Sequence, residues 1–378
     1  MQGGLVLAKL EGQVTIERIE VRRLDLKLIR PYKVSFTTFS EFQPLVAEVV
    51  DSDGATGFGE AEITPGYSSE TPEGAWSLLT RWSEELVGLT PAAAKAALAP
   101  HIATDPSAAS VLYTALEMLE GNPILAPESD TRVPLLQPVH SFELDAIPDE
   151  IEEILAEGFR TLKVKVGFEV DADLRRLAKI QDATAGRATL RLDANHSYTR
   201  DQGCAFGAAL DPEGIELFEQ PCDNDDWDGN AAVAAVSRVP VMLDESIYGT
   251  ADIDRAAAIE GVGFVKLKLK KLGGLDLLRD GLERIRRHGM TPVLGDGTAT
   301  EIACWQEACV ARLAIDNAGE MNGFLKFRDR LFADPLKFAD GAILLPAGYR
   351  PTLDKDVVQR VTMAEATARA GARVRAAG

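Results

Sequence analysis

The sequence predicts an α/β protein, a (β/α)8-type TIM barrel with an N-terminal α+β capping domain. Three observations lead there. Strand-like and helix-like stretches alternate eight times from residue 131 onward, the rhythm of a closed parallel barrel rather than of an open sheet with five or six repeats. A run of strands followed by a run of helices precedes them, as in a small α+β unit. A charged residue also closes one barrel strand after another at nearly constant spacing.

The 378 residues suffice for two domains, and 46% hydrophobic residues can fill a large core. The predicted boundaries are 1–130 for the cap and 131–345 for the barrel, with 346–378 returning to the cap. In the cap, Val14–Leu26 alternates charged and apolar residues, Leu45–Val50 is a second apolar run, and Asp53-Gly54 is a hairpin signal. Gly57-Phe58-Gly59 lacks the third glycine of a dinucleotide loop and follows a turn, so it reads as hairpin. Residues 72–120 read as helices with Pro72 and Pro91 near their starts. The barrel strands are placed at Pro134–Pro138, Thr161–Val166, Thr189–Leu192, Ile215–Phe218, Val241–Leu243, Phe264–Leu267, Thr291–Leu294 and, least defined, Ala318–Met321. After Pro346 the tail reads as turns, then as an alanine- and arginine-rich helix suited to packing or to a contact between copies in a homo-oligomer.

A net charge of −19 opposes binding to nucleic acid or an anionic membrane. Cys204, Cys222, Cys304 and Cys309 form no CxxC pair and no zinc spacing, which fits reduced thiols in a cytoplasmic protein. The start, MQGGLVLAKLEGQ, shows no leader pattern, and no apolar run approaches a membrane span. Small molecules are left as partners. An anionic one would need a local positive site on so acidic a chain.

The strand ends provide that site. Lys165, Asp193, Glu219, Asp244 and Lys268 follow one another at intervals of 28, 26, 25 and 24 residues; Asp296 lies 28 further on and Glu320 24 beyond that. In a barrel these positions share the C-terminal mouth, where catalytic groups gather. Three carboxylates on adjacent strands repel one another unless a cation lies between them, and hard oxygen donors suit magnesium, with manganese as a substitute. A lysine can act as a base only if its pKa falls. Lys163 and Lys165, two apart on a strand, face the same way and should each lower the other's pKa. A metal holding a carboxylate and a lysine beside it form a site for removing the weakly acidic proton next to that carboxylate.

Lys163-Val-Lys165, Leu192-Asp-Ala-Asn195, Phe218-Glu-Gln-Pro221, Leu243-Asp-Glu-Ser246 and Lys268-Leu-Lys-Lys-Leu-Gly273-Gly274 together resemble the enolase superfamily and, within it, the muconate lactonizing enzyme subgroup. The resemblance covers nearly the whole chain and implies that the barrel is of the modified, enolase-like kind. Gly57-Phe-Gly-Glu-Ala61 is similar to its capping hairpin and Arg30-Pro-Tyr-Lys-Val-Ser35 to the start of its substrate-covering loop, with segments 33–42 and 63–70 expected over the substrate. The resemblance implies that Asp193, Glu219 and Asp244 bind magnesium and that Lys165 and Lys268 form an acid/base pair on opposite faces of a small carboxylate substrate. Lys163 would polarise that carboxylate, with Asn195 and Glu245 supporting from behind. Lys268 is preferred to Lys266 and Lys270 for its five-residue distance to Gly273; alternation cannot separate the three.

Other readings stay open at this point. Asp244 is preferred to its neighbour Glu245 as a ligand. Asp296 and Glu320 either contact substrate or are loop charges and helix caps. His140 and His196 miss the lysine positions and read as peripheral. The same frame serves cycloisomerases, racemases, epimerases, dehydratases and succinylbenzoate synthases. Dipeptide epimerases of the subgroup carry Asp-x-Asp near the eighth strand, where this chain has Glu320-Met-Asn322-Gly323, closer to the cycloisomerase pattern. A Schiff-base aldolase barrel and a non-catalytic ligand-binding barrel are the alternatives of other classes.

Overall fold

The computed structural model describes residues 13–33, 38–64 and 69–371. The sequence start, parts of both predicted covering segments (34–37 and 65–68) and residues 372–378 of the tail lie outside the described residues.

The chain opens with β1 (Ile16–Leu24), β2 (Leu26–Lys33), β3 (Thr38–Phe42), β4 (Leu45–Asp51) and β5 (Thr56–Ala61), then α1 (Pro72–Leu86), α2 (Pro91–Leu98) and α3 (Pro106–Leu119). Thr71 and Thr90 cap α1 and α2 by accepting from the Gly74 and Ala93 amides, each followed by a proline whose missing N–H costs nothing there. The β4–β5 turn is held by Asp51, whose carboxylate accepts from the Asp53 and Ala55 amides. The glycines of Gly57-Phe-Gly59 have a packing role. A Cβ on Gly57 would stand 2.0 Å from the Ala115 carbonyl oxygen, and one on Gly59 2.4 Å from that of Val111. They let β5 press against α3 and share a buried apolar core that includes Val49, Leu79, Trp82 and Leu112.

Next come β6 (Thr131–Pro134), β7 (Gln137–Val139), α4 (Ile147–Ala156), β8 (Thr161–Lys165), α5 (Val170–Thr184), β9 (Thr189–Asp193), α6 (Arg200–Ala209) and β10 (Ile215–Glu219). They continue into α7 (Trp227–Val236), β11 (Val241–Leu243), α8 (Thr250–Ala257), β12 (Val262–Leu267), α9 (Leu269–Leu272), α10 (Leu275–Arg287), β13 (Thr291–Leu294) and α11 (Glu301–Ala314). Strands β7 to β13 form one parallel seven-stranded sheet in sequence order.

The eighth rung is not a regular strand. Residues 318–321 close the ring by single contacts: the Leu136 amide donates to Gly319 and the Glu320 amide to Leu294, each at 2.9 Å, beside a parallel bridge between Leu135 and Gly319. The first rung is also shorter than the predicted Pro134–Pro138. Prolines donate nothing to a ladder, and Thr131–Pro134 pairs instead with β15 (Ala342–Leu345), beside β14 (Lys337–Ala339).

The predicted helical tail is corrected. Among the described tail residues only α12 (Lys355–Val361) is helical; Thr362–Arg369 is β16, antiparallel to β1 in the first sheet, whose order is β16-β1-β4-β5. Its alternating burial follows the strand period, and the ladder along β1 outweighs alanine's helix preference, worth only about 0.7 kcal/mol per residue against an ordinary residue.

Candidate active site

The inward side chains of the barrel stack in layers. At the bottom, Leu217, Met242 and Val293 pack as a small separate apolar cluster with Phe264. Period-two alternation places Lys163, Glu219 and Lys266 above them, and Lys165, Asp193, Asp244 and Lys268 around the mouth. Along the ladder Lys165 pairs with Asp193 and Asp193 with Glu219, while Asp244 and Lys268 each follow directly on the ends of β11 and β12. All seven are buried.

The ammonium groups and carboxylates interlock. Lys163 Nζ lies 2.9 Å from Asp193, 3.2 Å from Glu219 and 2.8 Å from Glu320. Lys165 Nζ donates to Asp193 Oδ2 at 2.6 Å and to the Asn195 side-chain oxygen. Asn195 in turn donates to Glu245 Oε1 at 3.0 Å. On the other flank Lys268 Nζ is 2.8 Å from Asp244 Oδ2, and Lys271 reaches Asp244 Oδ1 at 3.0 Å and its carbonyl oxygen at 2.7 Å. Lys266 Nζ contacts Glu219 at 3.0 Å, Asp244 at 3.5 Å and Glu320 more closely. Lys270 pairs with Asp296 at 2.6 Å.

Backbone geometry holds this arrangement. Just past the strand ends, Asn195 and Gln220 take positive φ of 43° and 36°, a conformation non-glycine residues seldom adopt and one that clusters at functional sites. Asn195 is stabilised there by its amide donating to Asp193 Oδ1, and Gln220 Oε1 accepts from the Asp244 and Ser246 amides. Gly295, at φ 132°, lets the Glu320 segment close on β13; a Cβ there would stand 2.7 Å from the Glu320 backbone.

The predicted lowering is present at Lys165, where burial and then the Lys163 charge push the pKa down, but neighbouring carboxylates outweigh them. Burial lowers the pKa of Lys163, but Asp193, Glu219 and Glu320 outweigh it and hold it well above the ordinary lysine value. Lys165 is also raised, burial being outweighed chiefly by Asp193, and Lys268 is raised by Asp244, Asp296 and Glu245 against its burial. The carboxylates of adjacent strands lie nearer each lysine than expected from Lys163 and Lys165 considered as a pair. Burial raises the Asp193 pKa, but Lys163, Lys165 and Lys266 hold it below the usual carboxylate range. Burial and the Asp193 charge push Glu219 up to about 7.

As the side chains stand, no group of three or more His, Cys, Asp or Glu among the described residues is placed to hold a metal ion, because lysine ammoniums stand among the carboxylates. The donor chemistry nevertheless fits a hard dication: three buried carboxylates from three adjacent parallel strands, with lysines as their present counter-ions.

The cap roofs the mouth. Tyr32, Glu62, Ile63 and Thr64 line the same cavity as the barrel lysines, Asn195, Asp296, Thr298 and Glu320. Lys270 donates to the Glu62 carbonyl oxygen at 2.8 Å, Gln306 to that of Phe58 at 3.0 Å, and the Thr300 amide to Glu60 at 2.6 Å. Glu117 accepts from the Leu275 amide at 2.7 Å.

Asp296 and Glu320, left open by the sequence, both line the cavity, while His140 and His196 do not. Glu245 lies behind Asn195 rather than on the lysines. Sequence reasoning missed Lys271 and Glu62 as members of the site, set Lys266 aside in favour of Lys268, and had Tyr32 only as part of the covering-loop stretch. The period-two spacing of Lys266 and Lys268 was a usable signal, but not for Lys270, since β12 ends at Leu267 and Lys270 sits on α9.

A capped parallel barrel with a polar, lysine- and carboxylate-lined mouth is the architecture of a barrel enzyme. The Enolase C-terminal domain-like family matches residues 146–351, and the chain belongs to it: it is a member of the enolase superfamily, in the muconate lactonizing enzyme subgroup, and an isomerase or lyase. Muconate cycloisomerase 1 of Rhodococcus opacus is 28% identical over 366 residues, 89% of this chain and 94% of that one. The L-Lys-D/L-Arg epimerase of Methylococcus capsulatus is 32% identical over 277 residues, 69% of this chain and 76% of that one. The same fold is found in a dipeptide epimerase from Cytophaga hutchinsonii, complexed with Mg and a dipeptide, with TM-score 0.84 and 20% identity, covering 93% of this chain and 99% of that one.

Proposed function

We propose that this enzyme moves a proton at the carbon next to a substrate carboxylate, with Lys165 and Lys268 as the acid/base pair and Asp193, Glu219 and Asp244 as ligands of Mg2+. The observation that carries this reading is the placement of Lys165 and Lys268 at opposite ends of the carboxylate row, one on Asp193 and the other on Asp244. A substrate seated between them presents one face to each lysine. Bound magnesium would supply positive charge where negative charge collects on the substrate carboxylate as the proton leaves. With Asp193 and Asp244 holding a metal, Lys165 and Lys268 would lose partners that keep their pKa up, and burial would then favour the neutral amine a base requires. Lys163 donates toward the carboxylate being polarised, Asn195 orients Lys165, and the cap over the mouth limits water.

The outcome assigned first is cycloisomerisation of a muconate-type diacid. It is supported by the cycloisomerase relative, whose similarity runs through 89% of this chain. Racemisation or epimerisation of an amino-acid derivative is the second reading. It is favoured by the even placement of the two lysines and by the epimerase relative. The reading includes a cytoplasmic homo-oligomer; no helix among the described residues is long and apolar enough to cross a membrane.

The test is solvent deuterium exchange and turnover with Mg2+ across a panel of muconate-type diacids, N-acyl amino acids and dipeptides. Lactone formation from a diacid selects the first reading, and configurational inversion with α-deuteration the second. No exchange and no turnover across the panel would overturn the enzymatic assignment, and borohydride trapping of substrate on a lysine would replace it with Schiff-base chemistry.

A further inference from the structure

Lys266 has no part in the mechanism above, yet it is among the most deeply buried side chains of the protein, at 2% exposure. It projects from β12 two residues before Lys268 and so enters the barrel one layer below it. Its ammonium touches Glu219 at 3.0 Å, Asp244 at 3.5 Å and Glu320. Two of those three are proposed metal ligands. Below it lies the apolar layer of Leu217, Met242 and Val293, which offers no alternative partner. The charge therefore stays beside the carboxylates whichever other cation arrives.

We propose that Lys266 is a tethered counter-cation that competes with the divalent metal for Glu219 and Asp244, and that Glu320 is the carboxylate to which its ammonium retreats when the metal binds. Glu320 is placed for this. It already accepts from Lys266 on one oxygen, comes from the irregular rung on the far side of β13, and is fixed by its own amide donating to Leu294. The lysine keeps the buried carboxylates compensated in the metal-free protein, where removing it leaves negative charge unpaired in the core. The same charge opposes the dication at close range, so the metal site is weaker than three buried carboxylates would otherwise make it.

The inference rests on the assignment of Asp193, Glu219 and Asp244 as metal ligands, and it is tested by binding rather than turnover. Mn2+ is titrated calorimetrically and by paramagnetic resonance into the metal-free full chain of wild type, Lys266→Met, Lys266→Gln and Glu320→Gln. Both lysine variants are expected to bind Mn2+ at least about tenfold more tightly than wild type, and Glu320→Gln more weakly, because the lysine then loses its retreat. In chelator, the lysine variants melt below wild type and gain more from added Mn2+. If Lys266→Met fails to fold without metal, Lys266→Gln, which keeps hydrogen-bond donors but loses the charge, carries the comparison. Equal or weaker Mn2+ binding by the lysine variants, with wild-type binding intact, overturns the proposal and leaves the metal assignment standing. No Mn2+ binding by any of the four proteins overturns both.

Discussion

Lys165 and Lys268, 103 positions apart in the chain, bracket one row of carboxylates: Lys165 Nζ lies 2.6 Å from Asp193 and Lys268 Nζ 2.8 Å from Asp244. Their separate removal should give separate effects. Lys165→Ala and Lys268→Ala should each lower turnover about 10²–10⁴-fold, the usual contribution of a positioned acid or base. Each variant should still exchange the α-proton of the stereoisomer facing the remaining lysine, as read by proton NMR in D2O. Normal exchange by both variants would remove these lysines as bases.

Glu219 sits in the middle of the row, buried, with its pKa pushed up to about 7 by burial and by Asp193. Glu219→Gln keeps the shape and removes the charge. Calorimetric Mn2+ titration should show affinity reduced about 10-fold or more, even by the standard of outer-sphere partners, whose loss costs 10–100-fold. An unchanged isotherm would take Glu219 out of the metal site.

Asn195 holds Lys165 on one side and Glu245 on the other. Asn195→Ala should lower kcat about 10–100-fold with little change in KM and should displace the lysine limb of the pH–rate profile. A uniform loss with an unmoved profile would point to a structural effect alone.

Gly295→Ala puts a methyl 2.7 Å from the Glu320 backbone at a φ of 132°. The expected cost is about 1–3 kcal/mol from overpacking, with strain added. Thermal melts should show the loss, and Mn2+ binding should weaken with it because Glu320 is displaced.

Glu60 and Glu307 are buried carboxyls pushed up to about 8, and Glu117 to about 7, in each case chiefly by burial. Their native pKa values lie above the unfolded values near 4.5, so the folded chain binds more protons between pH 4.5 and 8. Stability must then fall as pH rises through that window. Denaturant melts should give a higher midpoint at pH 6 than at pH 8.5, and Glu60→Gln should flatten part of the slope. A midpoint that rises from pH 6 to 8.5 would contradict this.

The sequence alone determined the periodic part of the protein. Strand–helix alternation specified a barrel, and the spacing of Lys165, Asp193, Glu219, Asp244 and Lys268 put five charges at one mouth, because strand ends in a parallel barrel must share a face. Asn195 and Glu245 were legible as supporting groups from their motifs. Tertiary structure decided what depends on contacts without a period. Residues 362–369 of the tail became β16 because β1 offered them a ladder, the eighth rung at 318–321 stayed irregular, and Gly57 and Gly59 served helix packing. It also decided the electrostatics. Lys163 and Lys165 have raised rather than lowered pKa values because carboxylates from neighbouring strands surround them, and Lys266 proved to be inside the site. Local pattern shows where a side chain points; the field it meets there comes from strands far away in the chain, which only folding brings together.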